Sequence, residues 1–309
     1  MKEFLIEFAT HFRHYLVELL PVLAVGFLLS GVFYELVPER VIKKYLVKKN
    51  FLTLLSIIIV GMVLPICCIG SLPIAIGFRQ KGVKLGNVLA FLVATPATSI
   101  SAILVTLKFF GPIFTIYLCI SVVILGFVIG IVGNLIDSST VDTQLEEGGA
   151  VDFFSQFIPK KTFWQKIKSV LWYSFAYLPK EIGLEVLVGL VLASLISSLG
   201  VVKFFVENFL YGVYGYLFSV IFGVLMYICS TASVPLVYAL KQQGLAIGPC
   251  LVLLILGPLT SYATLLVVKK EFGNKVLGMY LLIIIVFSLL SGYLLNSIWG
   301  LLNLSNILL

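Results

Sequence analysis

Three cysteines stand beside prolines and hydroxyl residues inside long apolar runs. The first run carries Cys67-Cys68-Ile69-Gly70-Ser71-Leu72-Pro73, and the second, 162 residues later, carries Cys229-Ser230-Thr231-Ala232-Ser233-Val234-Pro235. Polarizable sulfur suits trivalent arsenic, monovalent copper and other thiophilic species, whereas hard cations such as calcium prefer oxygen. Cysteine is also among the most buried residue types and packs as a small hydrophobe, so it is the duplication of Cys67 by Cys229 that argues for a role. Hydroxyls accompany the sulfurs and can line a polar path without the cost of burying charge. The substrate-binding or pathway candidates are Cys67, Cys68, Ser71, Pro73, Thr95, Pro96, Thr98, Cys229, Ser230, Ser233, Pro235, Pro258 and Thr260. Cys67 and Cys229 are also the candidate soft-ion ligands, and no other metal site is expected.

Acid–base chemistry has no comparable foundation. No Asp, Glu or His lies centrally in the apolar runs that carry these motifs, and the two histidines, His11 and His14, sit near the amino terminus. A protease or transferase would need a carboxylate, histidine or lysine constellation facing a cavity, and none can be assembled. There is no Gly-rich phosphate loop ending in Lys-Ser or Lys-Thr, so bound nucleotide is not an energy source within this chain. Adjacent Cys67 and Cys68 lack the spacing of the common redox motif. The expectation is a chain that is not an enzyme and needs no cofactor.

The elements that must position these residues are membrane helices. The chain has 309 residues, of which 61% are hydrophobic and 11% charged, with a mean hydropathy of +1.14, too apolar for a soluble domain of this length. The runs are about 20 residues or longer and lack the period-two alternation of a barrel strand. Apolar segments fall at Tyr15–Leu36, Phe51–Phe78, Leu85–Leu107, Pro112–Ile136, Val170–Leu199, Phe209–Leu240, Ala246–Val268 and Val276–Leu302. The fold class is therefore all-α integral membrane, with about eight transmembrane helices in two four-segment halves. The first run follows Arg13 and His14 with no small-residue cleavage pattern behind it, so no removable signal peptide is expected. The net charge of +7 reads as membrane-flanking bias, not nucleic-acid binding.

The 162-residue offset extends well beyond the cysteines. Without a gap, it leaves 18 of 51 positions identical between 61–111 and 223–273, including Gly61 with Gly223 and Pro96 with Pro258. Identities weighted toward Gly, Pro, Ser and Thr point to duplication, because chance similarity between apolar helices would favour Leu and Val. The layout is a first membrane repeat over 1–136, a polar linker with an interfacial helix around Trp164 over 137–168, and a second repeat over 169–309. Proline lacks a donor and clashes with the preceding turn, so Pro73, Pro96, Pro235 and Pro258 should leave four segments broken or re-entrant near the midplane. Matched interruptions in two repeats are a pointer to a transporter site. Gly126-x-x-x-Gly130 and Ser288-x-x-x-Gly292 read as close-packing positions. Eight full crossings divide the basic residues ten against ten, with Lys180 at a span edge, so orientation is undetermined.

At this point the sequence resembles a bacterial and archaeal family of predicted permeases that includes organoarsenical efflux permeases and related copper or zinc exporters. The resemblance is carried by Pro65-x-Cys67-x-x-Gly70-x-x-Pro73, Ala94-Thr95-Pro96-Ala97-Thr98, Cys229-Ser230-x-Ala232-Ser233-Val234-Pro235-Leu236 and Gly257-Pro258-x-Thr260. It implies a multi-pass plasma-membrane permease that exports a small thiophilic solute between its halves, with the lipid bilayer as surroundings and no nucleic-acid partner. The family often has Cys-Ser-Cys-Gly at the first motif; here Cys68 stands one residue earlier, about 100° round a helix. The family often has an acidic residue where Thr231 stands. With two histidines in the whole chain, an arsenical or similar solute is expected ahead of copper or zinc.

Overall fold

The computed structural model describes residues 8–10, 12–17, 19–21, 24–25, 51–63, 68–80, 83–136, 187–188, 190–195, 210, 212–225 and 230–307. Among the described residues every regular element is helical and no strand occurs. A first set comprises α1 (Phe51–Val63), α2 (Cys68–Gln80), α3 (Leu85–Ala97), α4 (Ile100–Phe110) and α5 (Pro112–Ile136). A second comprises α6 (Val213–Leu225), α7 (Ser230–Gln242), α8 (Ile247–Leu259), α9 (Tyr262–Val267, continued by a π-turn over Val268–Phe272) and α10 (Asn274–Ile307). The paired starts Phe51 and Val213, Cys68 and Ser230, Leu85 and Ile247, Ile100 and Tyr262, and Pro112 and Asn274 are each 162 residues apart.

Helix length separates the spanning elements from the rest. Pro112–Ile136 and Asn274–Trp299 are long and apolar enough to cross a membrane, and α3–α4 and α8–α9 raise the number to four if each bent pair is one span. The bends are 48° and 55°. At about 1.5 Å per residue, α3 rises ~20 Å; α4, tilted by the bend, adds ~11 Å, which together match a ~30 Å hydrocarbon core. A lone 13-residue helix such as α1 or α2 falls ~10 Å short of that thickness.

The core sits on α3 and α8. All of α8, and all of α3 except Asn87, is buried, so these two helices are wrapped by protein on every side. α5 and α10 instead expose apolar stripes, with Ile113, Ile116, Ile120 and Ile124 on one and Leu282, Val286, Leu290 and Leu294 on the other. Such stripes need hydrocarbon to cover them, which makes this a membrane protein. Close packing is achieved where side chains vanish. Gly86 lies directly against the Gly130 carbonyl and Asn134, and Gly248 against the Gly292 carbonyl and Asn296. Gly126 abuts Ile58 and Gly130 abuts Leu54, the packing role read from their spacing.

Two of the four expected interruptions are present among the described residues, and two are not. Pro96 and Pro258 each sit one residue before the end of α3 and α8, as the loss of a donor requires. Pro235, by contrast, lies inside α7, and Pro73 falls within α2, so neither of these helices is broken at its proline. Pro235 is the sixth residue of its helix, so it forfeits one bond to the Thr231 carbonyl and the helix continues. Residues 64–67 and 226–229 between the short helices lie outside the described residues, as do the 137–168 linker and most of the Tyr15–Leu36 and Val170–Leu199 segments.

Candidate functional site

The breaks at the ends of α3 and α8 are built from the same parts. In the first, Thr95 Oγ1 donates to the Phe91 carbonyl at 2.8 Å and Thr98 Oγ1 to the Ala94 carbonyl at 2.8 Å. Ser99 then caps α4, its Oγ accepting from the Ala102 amide at 3.3 Å. In the second, Thr260 Oγ1 lies 2.7 Å from the Leu256 carbonyl and 3.2 Å from the Gly223 carbonyl, while Ser261 caps α9 through the Thr264 amide at 3.5 Å. Tyr280 Oη donates to the Leu259 carbonyl at 3.1 Å. Backbone groups at a break have no water to turn to in a bilayer; Ser99 and Ser261 accept from freed amides of the next helix, and Tyr280 donates to the carbonyl at the end of α8. Thr260 also ties the end of α8 to α6.

The two halves meet through hydroxyls. Ser101 Oγ, on the first turn of α4, lies 3.3 Å from Thr231 Oγ1, on the first turn of α7, and 3.3 Å from Ser99 Oγ. Thr98 is fully buried, Thr231 is 1% exposed and Thr260 2% exposed, so this polar material is held away from the lipid. Two helix amino-terminal ends, of α4 and α7, converge there, and their partial positive charge favours electron-rich groups. Ser233 Oγ bonds back to the Ser230 carbonyl at 2.9 Å, and Ser71 is buried within α2.

The structure thus brings Ser101 to Thr231, with Ser99 beside Ser101, keeps Thr98 on its own helix, and sets Thr260 against Gly223. Thr95 and Pro96 lie in the same last turn as Thr98, and Pro258 in that of Thr260. Cys67 and Cys229 lie outside the described residues; Cys68 begins α2 and Pro73 follows within it. Cys119 and Cys250 are free thiols, and Cys250 is fully buried with Sγ 3.9 Å from the Leu245 carbonyl. Among the described residues, no three or more His, Cys, Asp or Glu gather as a metal would require.

Sequence reasoning did not single out Ser101, Tyr280 or the cluster joining α5 to α10. In that cluster Tyr117 Oη donates to the Ser291 carbonyl at 2.9 Å and Ser121 Oγ lies 2.8 Å from Ser291 Oγ. The available signal was Ser121, the single serine of α5, and Ser288 and Ser291 in the middle of α10, where an unpaired hydroxyl would be costly.

The chain is 24% identical over 300 residues, 91% of its length and 93% of the relative's, to a Streptococcus mutans protein provisionally described as a two-component membrane permease complex subunit. It is 33% identical over 81 residues to the UPF0718 protein YcgR of Bacillus subtilis, covering 26% of this chain and 28% of that one. A UPF0718 protein of Methanocaldococcus jannaschii is 37% identical over 71 residues, 23% of this chain and 20% of the relative. The chain therefore spans less than a third of the length of both UPF0718 relatives in these alignments. No solved structure matches it. The sequence profile described as predicted permease matches residues 5–297, nearly the whole chain, and the protein belongs to that family.

Proposed function

We propose that this membrane protein is a secondary permease of the plasma membrane, crossing it several times, that exports a soft, thiophilic solute through a central pathway between two repeats. The repeats are 1–136 and 169–309, joined by the 137–168 linker. The observation that carries the reading is the pairing of helix breaks: at equal positions in both sets, a buried helix ends in Pro-x-Thr and the next is capped by a serine. The 162-residue spacing of five helix starts supports an internal duplication. The Ser101–Thr231 contact supports a polar route between the repeats.

The solute class follows from the sulfur at Cys67 and Cys229, whose neighbours in sequence include Cys68, Ser71, Ser230 and Ser233. A trivalent organoarsenical fits that chemistry, since thiolate sulfur binds soft centres and neutral hydroxyls do not trap them. Vesicles carrying the purified chain should accumulate a trivalent methyl- or phenyl-arsenical, and replacing Cys67→Ala with Cys229→Ala should abolish this. Undiminished transport by the double variant removes the cysteines from the mechanism.

The Streptococcus mutans relative favours a second reading, because its description makes it a subunit of a two-component complex. Under that reading this chain binds the solute but requires another membrane component to move it. Transport by the isolated chain in vesicles decides against the second reading. A resistance screen in a sensitive host against arsenicals, antimonials, copper, zinc and silver then identifies the solute.

A further inference from the structure

We infer that α1–α2 and α6–α7 are re-entrant hairpins that enter the bilayer from opposite faces, within an inverted pair of repeats whose amino-terminal side is extracellular. The inference rests on the permease reading for its functional meaning, but the direction of each helix is fixed by contacts alone.

In the first set, Leu54 lies against Gly130, which in turn opposes Gly86 at the start of α3, whereas Gly61 lies beside Ala94 near its end. Hence α1 runs parallel to α3. α2 turns directly back into α3, with the Val83 amide bonded to the Phe78 carbonyl at 3.0 Å and the Phe78 and Phe91 rings 5.4 Å apart. Hence α2 runs antiparallel to α3. The second set repeats this: Gly215 packs beside Pro249 and Gly223 beside Leu256, while the Leu245 amide bonds the Leu240 carbonyl at 3.1 Å. In each set two helices of 13 residues, too short to cross, run in opposite directions on either side of a four-residue link. Each pair therefore goes in and comes back.

The relation between the sets follows from α4 and α7. Ser101 meets Thr231 at their starts, and near their ends Phe110 packs edge-on against Tyr238, with Lys241 Nζ 5.3 Å from the Phe110 centroid. The two helices are parallel. Since α4 continues α3 past a 48° bend and α7 opposes α8, the corresponding helices α3 and α8 point in opposite senses. Tyr15, at the head of the first apolar segment, reaches the same end, bonding Gln242 Oε1 at 3.0 Å and lying 6.2 Å from the Phe109 ring. Eight full crossings would put Tyr15 and Lys241 on one face and Phe109 and Phe110 on the other, which these contacts forbid. Counting the Tyr15–Leu36 and Val170–Leu199 segments as crossings, each repeat has three crossings and one hairpin, and an odd number inverts the second repeat.

Charge provides an independent check. With hairpins in place, Arg40 to Lys49 contributes five basic residues to one face, Arg79 to Lys84 three, Lys160 to Lys168 four and Lys269 to Lys275 three, fifteen in all. The opposite face holds Lys2, Arg13, Lys108, Lys203 and Lys241. Fifteen against five replaces a ten-to-ten tie, and the positive-inside rule assigns the richer face to the cytoplasm. The hairpin of the first repeat then opens from the cytoplasm and that of the second from outside.

The test reads sidedness, not transport, so it stands or falls apart from the permease reading. Single cysteines are placed at Lys49→Cys, Lys84→Cys, Gly148→Cys, Lys203→Cys and Lys270→Cys in the full chain with its five native cysteines replaced. In intact cells a membrane-impermeant maleimide should label only Lys203→Cys, and permeabilisation should raise labelling of the other four at least tenfold. If the cysteine-free chain does not fold, protease sites inserted at residues 49 and 82 of the native chain should both be cut in inside-out vesicles and spared in intact cells. Labelling that places residues 49 and 84 on opposite faces, or cutting that so places residues 49 and 82, overturns the hairpins. Labelling of the other four sites but not of Lys203→Cys in intact cells overturns the orientation.

Discussion

Adding one methyl group at Gly86 separates the packing argument from a generic effect of glycine replacement. A Cβ there would lie inside contact range of the Gly130 carbonyl, 2.6 Å from the Asn134 amide nitrogen and 2.7 Å from Asn134 Cγ. Two of these three obstacles are backbone, so α3 and α5 must move apart by about 1 Å to restore ordinary contact, and overpacking of this kind costs about 1–3 kcal/mol. The same movement strains the bond from the Gly86 amide to Asn134 Oδ1, now 3.1 Å and worth about 1 kcal/mol. Alanine returns about 1 kcal/mol of helix propensity. The net expectation for Gly86→Ala is destabilisation by about 1–3 kcal/mol. Gly248→Ala should behave alike, since its Cβ would sit 2.5 Å from the Gly292 carbonyl. Gly278, exposed on α10 with nothing within 4 Å of an added Cβ, retains only the propensity gain, so Gly278→Ala should be neutral or stabilising by up to about 1 kcal/mol. Unfolding in mixed dodecyl maltoside–SDS micelles, followed by tryptophan fluorescence, measures all three. Equal stability of Gly86→Ala and Gly278→Ala would refute the close approach of α3 to α5.

Two further outcomes follow from the same contacts. In a double-mutant cycle, Ser101→Ala and Thr231→Val should show a coupling of about 0.6 kcal/mol by the same unfolding assay, the average for hydrogen bonds between membrane helices; additivity would mean the contact contributes nothing. Cys250, fully buried in α8, should remain unmodified by N-ethylmaleimide in the folded protein and react in full after SDS denaturation, as read by mass spectrometry of the peptide.

The sequence revealed the parts of this fold that depend on backbone chemistry. Pro96 and Pro258 announced the ends of α3 and α8 because a residue without an N–H cannot continue a ladder that lipid will not repair. The matched positions Gly86 and Gly248 stood out because each glycine lies at a close helix crossing, where a leucine would not fit. Pro235 misled because a proline early in a helix forfeits only one bond. What was invisible was direction. A stretch of apolar residues long enough to cross is also long enough to enter and return, and composition does not distinguish the two. Nor could spacing reveal that Ser101 meets Thr231, 130 residues away, since no local periodicity encodes a contact between repeats.

The duplicated helices are not held in the same way at their two seams. Where α4 meets α7, Phe110 and Tyr238 pack edge-on and Lys241 stands over both rings, at 5.3 and 5.9 Å. Each cation–ring contact of this kind is worth about 0.5–1 kcal/mol at an exposed site. Shifted by 162 residues, the counterparts where α9 meets α2 are Phe272, Ile76 and Arg79, with Ala263 and Ile69 in place of Ser101 and Thr231. The second seam therefore keeps one ring and one cation but loses the aromatic partner and the hydroxyl pair. Under the inversion inferred above, these seams would lie toward opposite ends of the proposed pathway. An element that closes more firmly at one end than at the other has unequal energies for its two arrangements, and a solute moves the balance only through a difference in affinity between them. The sequence differences between otherwise matched helices are thus where a preferred resting side would be encoded, and Tyr238, whose counterpart is Ile76, is the largest of them.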